Sequence, residues 1–277
     1  MNLTYGSDPE FIINDPELNG NVSALRLWCS EGEKECPLQF SIGAVMADGV
    51  MLEAIIPPAV SISEFISNLR KMILDIHEKI TPLVLIADAM AKYNPIDLKH
   101  PKANEFGCSP DFTSWNNGKE NKKPIIPKDF QFRPCGAHLH IGFKREVMNT
   151  FSLIHICKLV NALDASAGLC SVLLDDNEFG RLRKKFYGAA GCFRPKDYGL
   201  EYRTMSTRWL SSPEIVFDVL ALVEKAISQT FDGWNPDPIV RKIINDVNST
   251  VALDLLRKQF GAEFSCNFKG TLLENWR

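Results

Sequence analysis

From Ser61 onward the chain keeps a helical rhythm: Phe65, Leu69, Met72, Ile73, Ile76 and Ile80 recur three or four residues apart, which gathers them on one face of a helix. Ser61 followed by Glu64 fits a capping box at its start. Before this helix the pattern is that of strands. Residues 7–13 suit a first strand, and residues 39–47 and 50–56 form two apolar-rich runs joined at Asp48-Gly49, a dipeptide favoured where a tight turn needs positive φ. The spacing predicts an antiparallel hairpin ending at Pro57-Pro58.

Residues 94–134 break the rhythm with several prolines and the lysine-rich section K-E-N-K-K-P-I-I-P-K at 119–128. Composition alone reads this as a solvated surface loop, while its length is that of a functional loop or small subdomain. Residues 151–174 predict a mostly buried helix. Ser212, Pro213 and Glu214 supply the cap and first turn of another, and a further helix is expected over about 237–260. From Gly261 the pattern assigns nothing.

Strands and helices interleave without an internal repeat, and 277 residues with 45% hydrophobic content suffice for a sizeable core. The expectation is a single domain over 1–277, with the 94–134 segment as an insertion and a helical C-terminal part at about 212–260. A net charge of -3 and a pI near 6.0 create no general field for nucleic acid or an anionic membrane, so any phosphate binding must be local. The N-terminus lacks the basic and apolar regions of a secretory signal, and no apolar run reads as a bilayer span. The eight cysteines are scattered with no C-x-x-C, which suits reduced, buried thiols in a cytoplasmic protein. Cys29 and Cys36 flank a charged loop at a spacing too nonspecific to assign a disulfide or zinc.

Against this background three stretches each set two polar side chains two residues apart: Asp8 and Glu10 in G-S-D-P-E-F, His138 and His140 in G-A-H-L-H-I-G, and Glu201 and Arg203 in G-L-E-Y-R-T. On a strand such residues share a face, so each pair aims into one space. Carboxylates there suit a hard divalent cation such as Mg²⁺ or Mn²⁺. Glu53 adds a carboxylate whose face neighbours Met51 and Ile55 are apolar, so burial there needs a cation or a strong donor. Arg181, Arg183, Lys184, Lys185 and Arg194 fall within fourteen residues, upstream of Arg203 and Arg208, and guanidinium groups give permanently charged, bidentate contacts to phosphate. No Walker-type loop is present. Each feature also has an ordinary reading: an Asx turn at Asp8, a solvent-reaching edge at Glu53, core histidines, a cross-strand ion pair, and solvated surface cations.

The order of these motifs is more specific than any one of them. G-S-D-P-E-F (6–11), D-G-V-M-L-E-A-I-I-P-P-A (48–59), G-A-H-L-H-I-G (136–142) and F-Y-G-A-A-G-C-F-R (186–194) running into Y-G-L-E-Y-R-T-M-S-T-R-W-L (198–210) together resemble the glutamine synthetase and glutamate-cysteine ligase superfamily. They are most similar to its phage-type carboxylate-amine ligases, the type 2 amidoligases, over roughly residues 5–232. The resemblance implies an α+β fold, a curved antiparallel sheet flanked by helices, with ATP and Mg²⁺ or Mn²⁺ on its concave face. It implies phosphoryl transfer from ATP to a carboxylate, then displacement of phosphate by an amine.

Carried over by residue, Glu10, Glu53 and Glu201 look like metal ligands, assisted by Asp8. His138 looks like the imidazole near metal and phosphates, with His140 as its neighbour. Arg203 and Arg181 or Arg183 look like phosphate and transition-state stabilisers, and Arg194, Lys184 and Arg208 like contacts to ATP or substrate. Small-molecule or peptide carboxylates and amines are the implied partners, and a homo-oligomer is consistent with the relatives. The 94–134 excursion is expected to shield the acyl-phosphate from water. A metal-dependent hydrolase using the H-x-H strand, and a non-catalytic nucleotide-binding protein on the same scaffold, are the alternatives.

Overall fold

The computed structural model describes residues 3–27, 37–104, 110–266 and 270–277. Its centre is an antiparallel sheet built from β1 (Thr4–Ser7), β2 (Glu10–Asp15), β3 (Ala44–Asp48), β4 (Met51–Ala59), β5 (Leu139–Gly142), β6 (Cys192–Lys196) and β7 (Gly199–Tyr202). Across the sheet the order is β6, β7, β5, β1, β4, β2, with β3 paired to β4. Helices surround it, so the expected α+β class is borne out.

The first strand differs from the expectation over 7–13. The chain breaks at Asp8-Pro9 into β1 and β2, because proline has no N–H to give to a ladder and restricts the residue before it. β1 then pairs with β5 and β4, whereas β2 pairs with β4 further along. Asp8 and Glu10 consequently belong to two different parts of the sheet. The hairpin turns at Gly49, whose φ is +58°, and β4 runs on through Pro57 and Pro58 to Ala59. Those prolines fall where the β1–β4 register shifts, a place where a ladder donor is dispensable.

Helix α1 (Ile62–Ile80) follows, with Ser61 Oγ accepting from Glu64 N–H at 3.2 Å and the Glu64 carboxylate accepting from Val60 N–H at 2.7 Å. Its buried face includes Phe65, whose ring stacks on Trp209 with centroids 6.0 Å apart. Helix α2 (Leu153–Leu174) is long and apolar enough to cross a membrane, which the sequence reading did not anticipate, but 78% of that window is buried inside the protein. It contains a π-turn over Asp164–Gly168. α3 (Glu178–Lys184) is capped by Asn177, and α4 (Pro213–Phe231) by Ser212 with Pro213 in the first turn.

The single helix expected over 237–260 is two, α5 (Ile239–Asp246) and α6 (Ser249–Phe260). Val247 adopts φ +50° between them and Asn248 caps the second. The unassigned C-terminus forms α7 (Leu272–Trp276), closed by a Thr271–Glu274 capping box. Among the described residues Cys135, Cys157, Cys170 and Cys192 are buried and free, and Cys266 is partly buried and free; Cys29 and Cys36 lie outside the described residues.

Candidate functional site

Strand register builds the site. Glu10 on β2 lies opposite Glu53 on β4, and β3 pairs Met46 with Glu53 and Asp48 with Met51. The two-residue period therefore puts Asp48 on the same face as Glu53. One oxygen from each of Glu10, Asp48 and Glu53 lies within 4.8 Å of the others. Glu10 also accepts from Gly136 N–H at 2.6 Å. Loss of hydration pushes the Glu10 carboxyl up to about 8; the charges of Asp48 and Asp8 add to the rise, and the Gly136 N–H and Arg183 oppose it.

The second cluster forms where β1, β5 and β7 meet. Gly6 faces His140, and His140 faces Glu201, while Leu139 and Ile141 turn into the core. Asp8, in the break before Pro9, brings Oδ1 to 3.0 Å from His138 Nδ1 and Oδ2 to 3.4 Å from His140 Nε2. His138 Nδ1 is also 3.4 Å from Glu201 Oε1. Tyr198 Oη meets the other nitrogen of His140 at 3.0 Å. Burial raises the Asp8 carboxyl, but His138 and His140 overcome this and hold it well below the usual carboxylate range. Glu201 behaves alike: burial is outweighed by His138, Arg203 and Lys196, against Asp8, and its carboxyl falls to about 2.

Gly136 separates the clusters. A β-carbon there would stand 3.2 Å from His138 Nε2, crowding the imidazole by a few tenths of an ångström, and 3.6 Å from Glu10 Oε2, in ordinary contact. Asp8 Oδ1, His138 Nδ1 and His140 Nε2 are buried without an aligned hydrogen bond, despite their proximity. Buried polar atoms are nearly always satisfied, and a convergent set of lone pairs fits a divalent cation bound by oxygen and imidazole nitrogen.

Cations line the edge of the second cluster. Arg203 is buried, and its Nη1 donates to Glu201 Oε1 while its Nη2 donates to Tyr187 Oη. Its Nε stands 3.1 Å from Asp111 Oδ1, close enough for an ion pair but off the line of a hydrogen bond. Arg194 donates to Glu201 at 3.2 Å and to the Pro110 carbonyl at 3.1 Å, and Lys196 Nζ lies 2.8 Å from Glu201.

The structure thus brings together Asp8, His138, His140, Glu201, Arg203 and Arg194, with Glu10 and Glu53 across Gly136. Four of the expected cations lie elsewhere or are engaged differently. Arg181 points to solvent and pairs with Asp176 at 2.8 Å, on the opposite side of α3 from the buried Arg183 two residues on. Arg183 is fully buried, giving Nε to the Cys135 carbonyl at 2.9 Å and its terminal nitrogens to the carbonyls of Thr204 and Met205 at 2.9 and 2.7 Å. Backbone acceptors thus occupy all three of its nitrogens, where a phosphate contact was expected. Lys184 donates to the carbonyls of Gly188 and Thr204 at 2.6 and 3.0 Å, and burial together with Arg183 lowers its ammonium to about 7. Arg208 pairs with Asp88 at 3.0 Å.

Sequence reading missed Asp48, Lys196, Asp111 and Tyr187 as site residues. The same-face rule that singled out Glu201 and Arg203 also carries the first two, since Lys196 is two residues beyond Arg194 on β6 and Asp48 is the last residue of β3. Asp111 and Tyr187 come from outside the strands, and no spacing rule finds them.

Residues 127–242 match the family described as phage phiEco32-like COOH.NH2 ligase-type 2. This match bears out the resemblance to type 2 carboxylate-amine ligases read from the motifs. It contains the imidazole strand, the arginine-rich turn and the Glu201–Arg203 strand, and the acids of the first two motifs lie N-terminal to it. No curated protein matches the chain.

Proposed function

We propose that this chain is an ATP-dependent carboxylate-amine ligase that forms an amide through an acyl-phosphate. The observation that carries the reading is the pair of carboxylate and imidazole clusters facing each other across Gly136, with Arg203, Arg194 and Lys196 along one edge. Transfer of a phosphoryl group depends on positioning and neutralisation of charge more than on a strong base.

Glu10, Asp48 and Glu53 would hold one divalent cation, and Asp8, His140 and Glu201 a second. Such ions, when bound, neutralise phosphate charge and align the reacting oxygens. Arg203 and Arg194 offer permanent positive charge to an anionic substrate. Both guanidinium groups donate to Glu201, which orients them along that edge. In the reaction the substrate carboxylate oxygen bonds to the γ-phosphorus as ADP leaves. The amine nitrogen then attacks the acyl carbon, phosphate departs with the C–O electron pair, and the ammonium proton is lost. Pro110 and Asp111, which touch Arg194 and Arg203, make the described start of the 110–121 segment a wall of the site, suited to excluding water from the acyl-phosphate.

The test is phosphate release from ATP with Mg²⁺ or Mn²⁺ across pools of carboxylates and amines, using wild-type protein and Glu201→Ala, with products read by mass. Carboxylate-dependent release that is lost in the variant, with a product one water lighter than the two substrates together, supports the ligase. Metal-dependent hydrolysis without ATP would replace this reading with the hydrolase, and ATP binding with no turnover would replace it with the binding protein.

A further inference from the structure

Helix α2 is apolar along most of its length, yet Asp164 sits in its middle with no exposure to solvent. Burying a carboxylate is costly unless donors meet it, and the proposed reaction makes no use of this one. The helix widens there into the π-turn Asp164–Gly168, an irregularity frequent at functional positions. Donors reach the carboxylate from three separate parts of the chain. Trp115 Nε1 gives to Oδ2 at 2.5 Å and Tyr202 Oη to Oδ1 at 2.6 Å, and the Gly191 backbone N–H donates to it as well.

Each donor belongs to a segment that carries a residue of the site. Tyr202 stands between Glu201 and Arg203 in the chain. Gly191 closes the turn that holds Tyr187. Trp115 lies in the short 3₁₀ turn Ser114–Asn116, four residues after Asp111, which pairs with Arg203 at 3.1 Å. That turn rests directly on Gly191: Ser114 N–H donates to the Gly191 carbonyl at 3.0 Å, and a β-carbon on Gly191 would stand 2.6 Å from Ser114 Oγ and from Trp115 Cδ1. Ser114 Oγ gives in turn to Asn161 Oδ1 of α2 at 2.6 Å. On the sheet side the segment is joined only through Phe112 and Thr113, paired with Phe193 and Cys192. So short a ladder is a weak attachment, whereas an indole N–H on a buried carboxylate is charge-assisted and sheltered from water.

We propose that Asp164 is a positioning residue: through Trp115 it clamps the 110–121 segment against the site, so that Asp111 meets Arg203 and water is kept from the acyl-phosphate. The inference deepens the ligase reading and rests on it for the intermediate. With the clamp released, water takes the place of the amine. Its oxygen bonds to the acyl carbon, phosphate departs with the C–O electron pair, the two protons of water pass to phosphate and solvent, and the original carboxylate returns. The net result is hydrolysis of ATP without an amide.

The experiment compares wild type with Trp115→Phe, which keeps an aromatic ring and removes the indole N–H, and with Asp164→Ala, which removes the acceptor. It reads hydrogen exchange over residues 110–121 by mass spectrometry, and the number of phosphates released per amide with the carboxylate and amine found in the ligation assay. Exchange over 110–121 should quicken about tenfold in both variants, with residues 139–142 unchanged. The ratio of phosphate to amide should rise from about one to about three or more, with the KM for ATP within about twofold. The ratio separates positioning from a merely structural role, because loss of folded protein lowers both products together and leaves the ratio at its wild-type value. A folded Trp115→Phe with wild-type exchange over 110–121, or with faster exchange and an unchanged ratio, overturns the proposal. So does a wild-type segment that exchanges as fast as an unfolded chain, which decides the matter even if neither variant folds. A wild type that releases no phosphate from ATP with any carboxylate sinks the ligase reading and the catalytic half of the proposal with it, while the exchange measurement still decides whether Asp164 holds the segment.

Discussion

Glu10 and Glu53 stand directly opposite each other on neighbouring antiparallel strands, with Asp48 on the same face and one oxygen of each within 4.8 Å of the others. Like charges paired across a ladder destabilise it; the proton that burial and Asp48 hold on Glu10 up to about pH 8 relieves part of this repulsion, and a divalent cation would take its place on the ionised carboxylates. A ligand that binds only the folded state at a hundred times its Kd adds about 2.7 kcal/mol to stability. Mn²⁺ should therefore raise the melting temperature of the wild type well above its value in EDTA. Glu53→Gln should lose most of that rise. An equal rise in the variant, measured by calorimetry, would remove Glu53 from the metal site.

Two arginines of α3 should behave in opposite ways although both belong to the same basic run. Arg183 is buried against three carbonyls, and truncating it leaves those acceptors unpaired, so Arg183→Met should destabilise the protein by about 3–5 kcal/mol. Arg181 is half exposed and paired with an equally exposed Asp176, so Arg181→Ala should change stability by no more than about 0.5 kcal/mol and leave turnover within about twofold. Urea unfolding of both variants, with steady-state rates for Arg181→Ala, decides the matter. A large kinetic defect in a normally folded Arg181→Ala would return that residue to the site.

Asp111 reaches Arg203 from the 94–134 excursion, and Asn121 Nδ2 holds its other oxygen at 2.8 Å. Its side chain is partly exposed, so Asp111→Asn should cost little stability. Loss of its charge beside Arg203 should lower kcat about tenfold, corresponding to about 1.4 kcal/mol in the barrier. A variant with wild-type kcat would show that Glu201 and Tyr187 orient Arg203 without help from the excursion.

Much of this site was legible because strand periodicity is a strong rule. Leu139 and Ile141 face the core while His140 faces Glu201, as alternation requires. Asp48-Gly49 marked the hairpin that sets Asp48 beside Glu53. The rule failed where the chain leaves a strand. Pro9 divides what reads as one strand, so Asp8 joins the histidines and Glu10 joins Glu53. The arginine run was misleading for a different reason: helical spacing sends Arg181 outward and Arg183 inward, and a sequence does not say that backbone carbonyls wait at the inward position. Tyr187 and Asp111 depend on loop geometry and long-range packing, which leave no period in the sequence.

The excursion is anchored behind the site by a group that titrates. Trp115 Nε1 and Tyr202 Oη donate to the Asp164 carboxylate at 2.5 and 2.6 Å, in the π-turn of α2. Burial pushes the Asp164 carboxyl up to about 6, with the hydrogen bonds from Tyr202, Trp115 and the Gly191 backbone and the charge of Lys184 holding it from rising further. Between about pH 4 and pH 6 the folded protein thus keeps a proton that the unfolded chain has lost. Stability contributed by Asp164 is then highest below about pH 4, falls as pH rises through 6, and is level above, a change of about 3 kcal/mol. Asp8 and Glu201, held low in the folded state, act in the opposite direction but do so equally in a variant that lacks only the Asp164 charge. Subtracting the unfolding free energy of Asp164→Asn from that of the wild type should therefore leave a difference that decreases from pH 4 to pH 6.5. Urea titrations of both proteins at half-unit intervals measure it, and a difference that is flat or increases with pH would mean that Asp164 stays ionised throughout, its donors outweighing its burial.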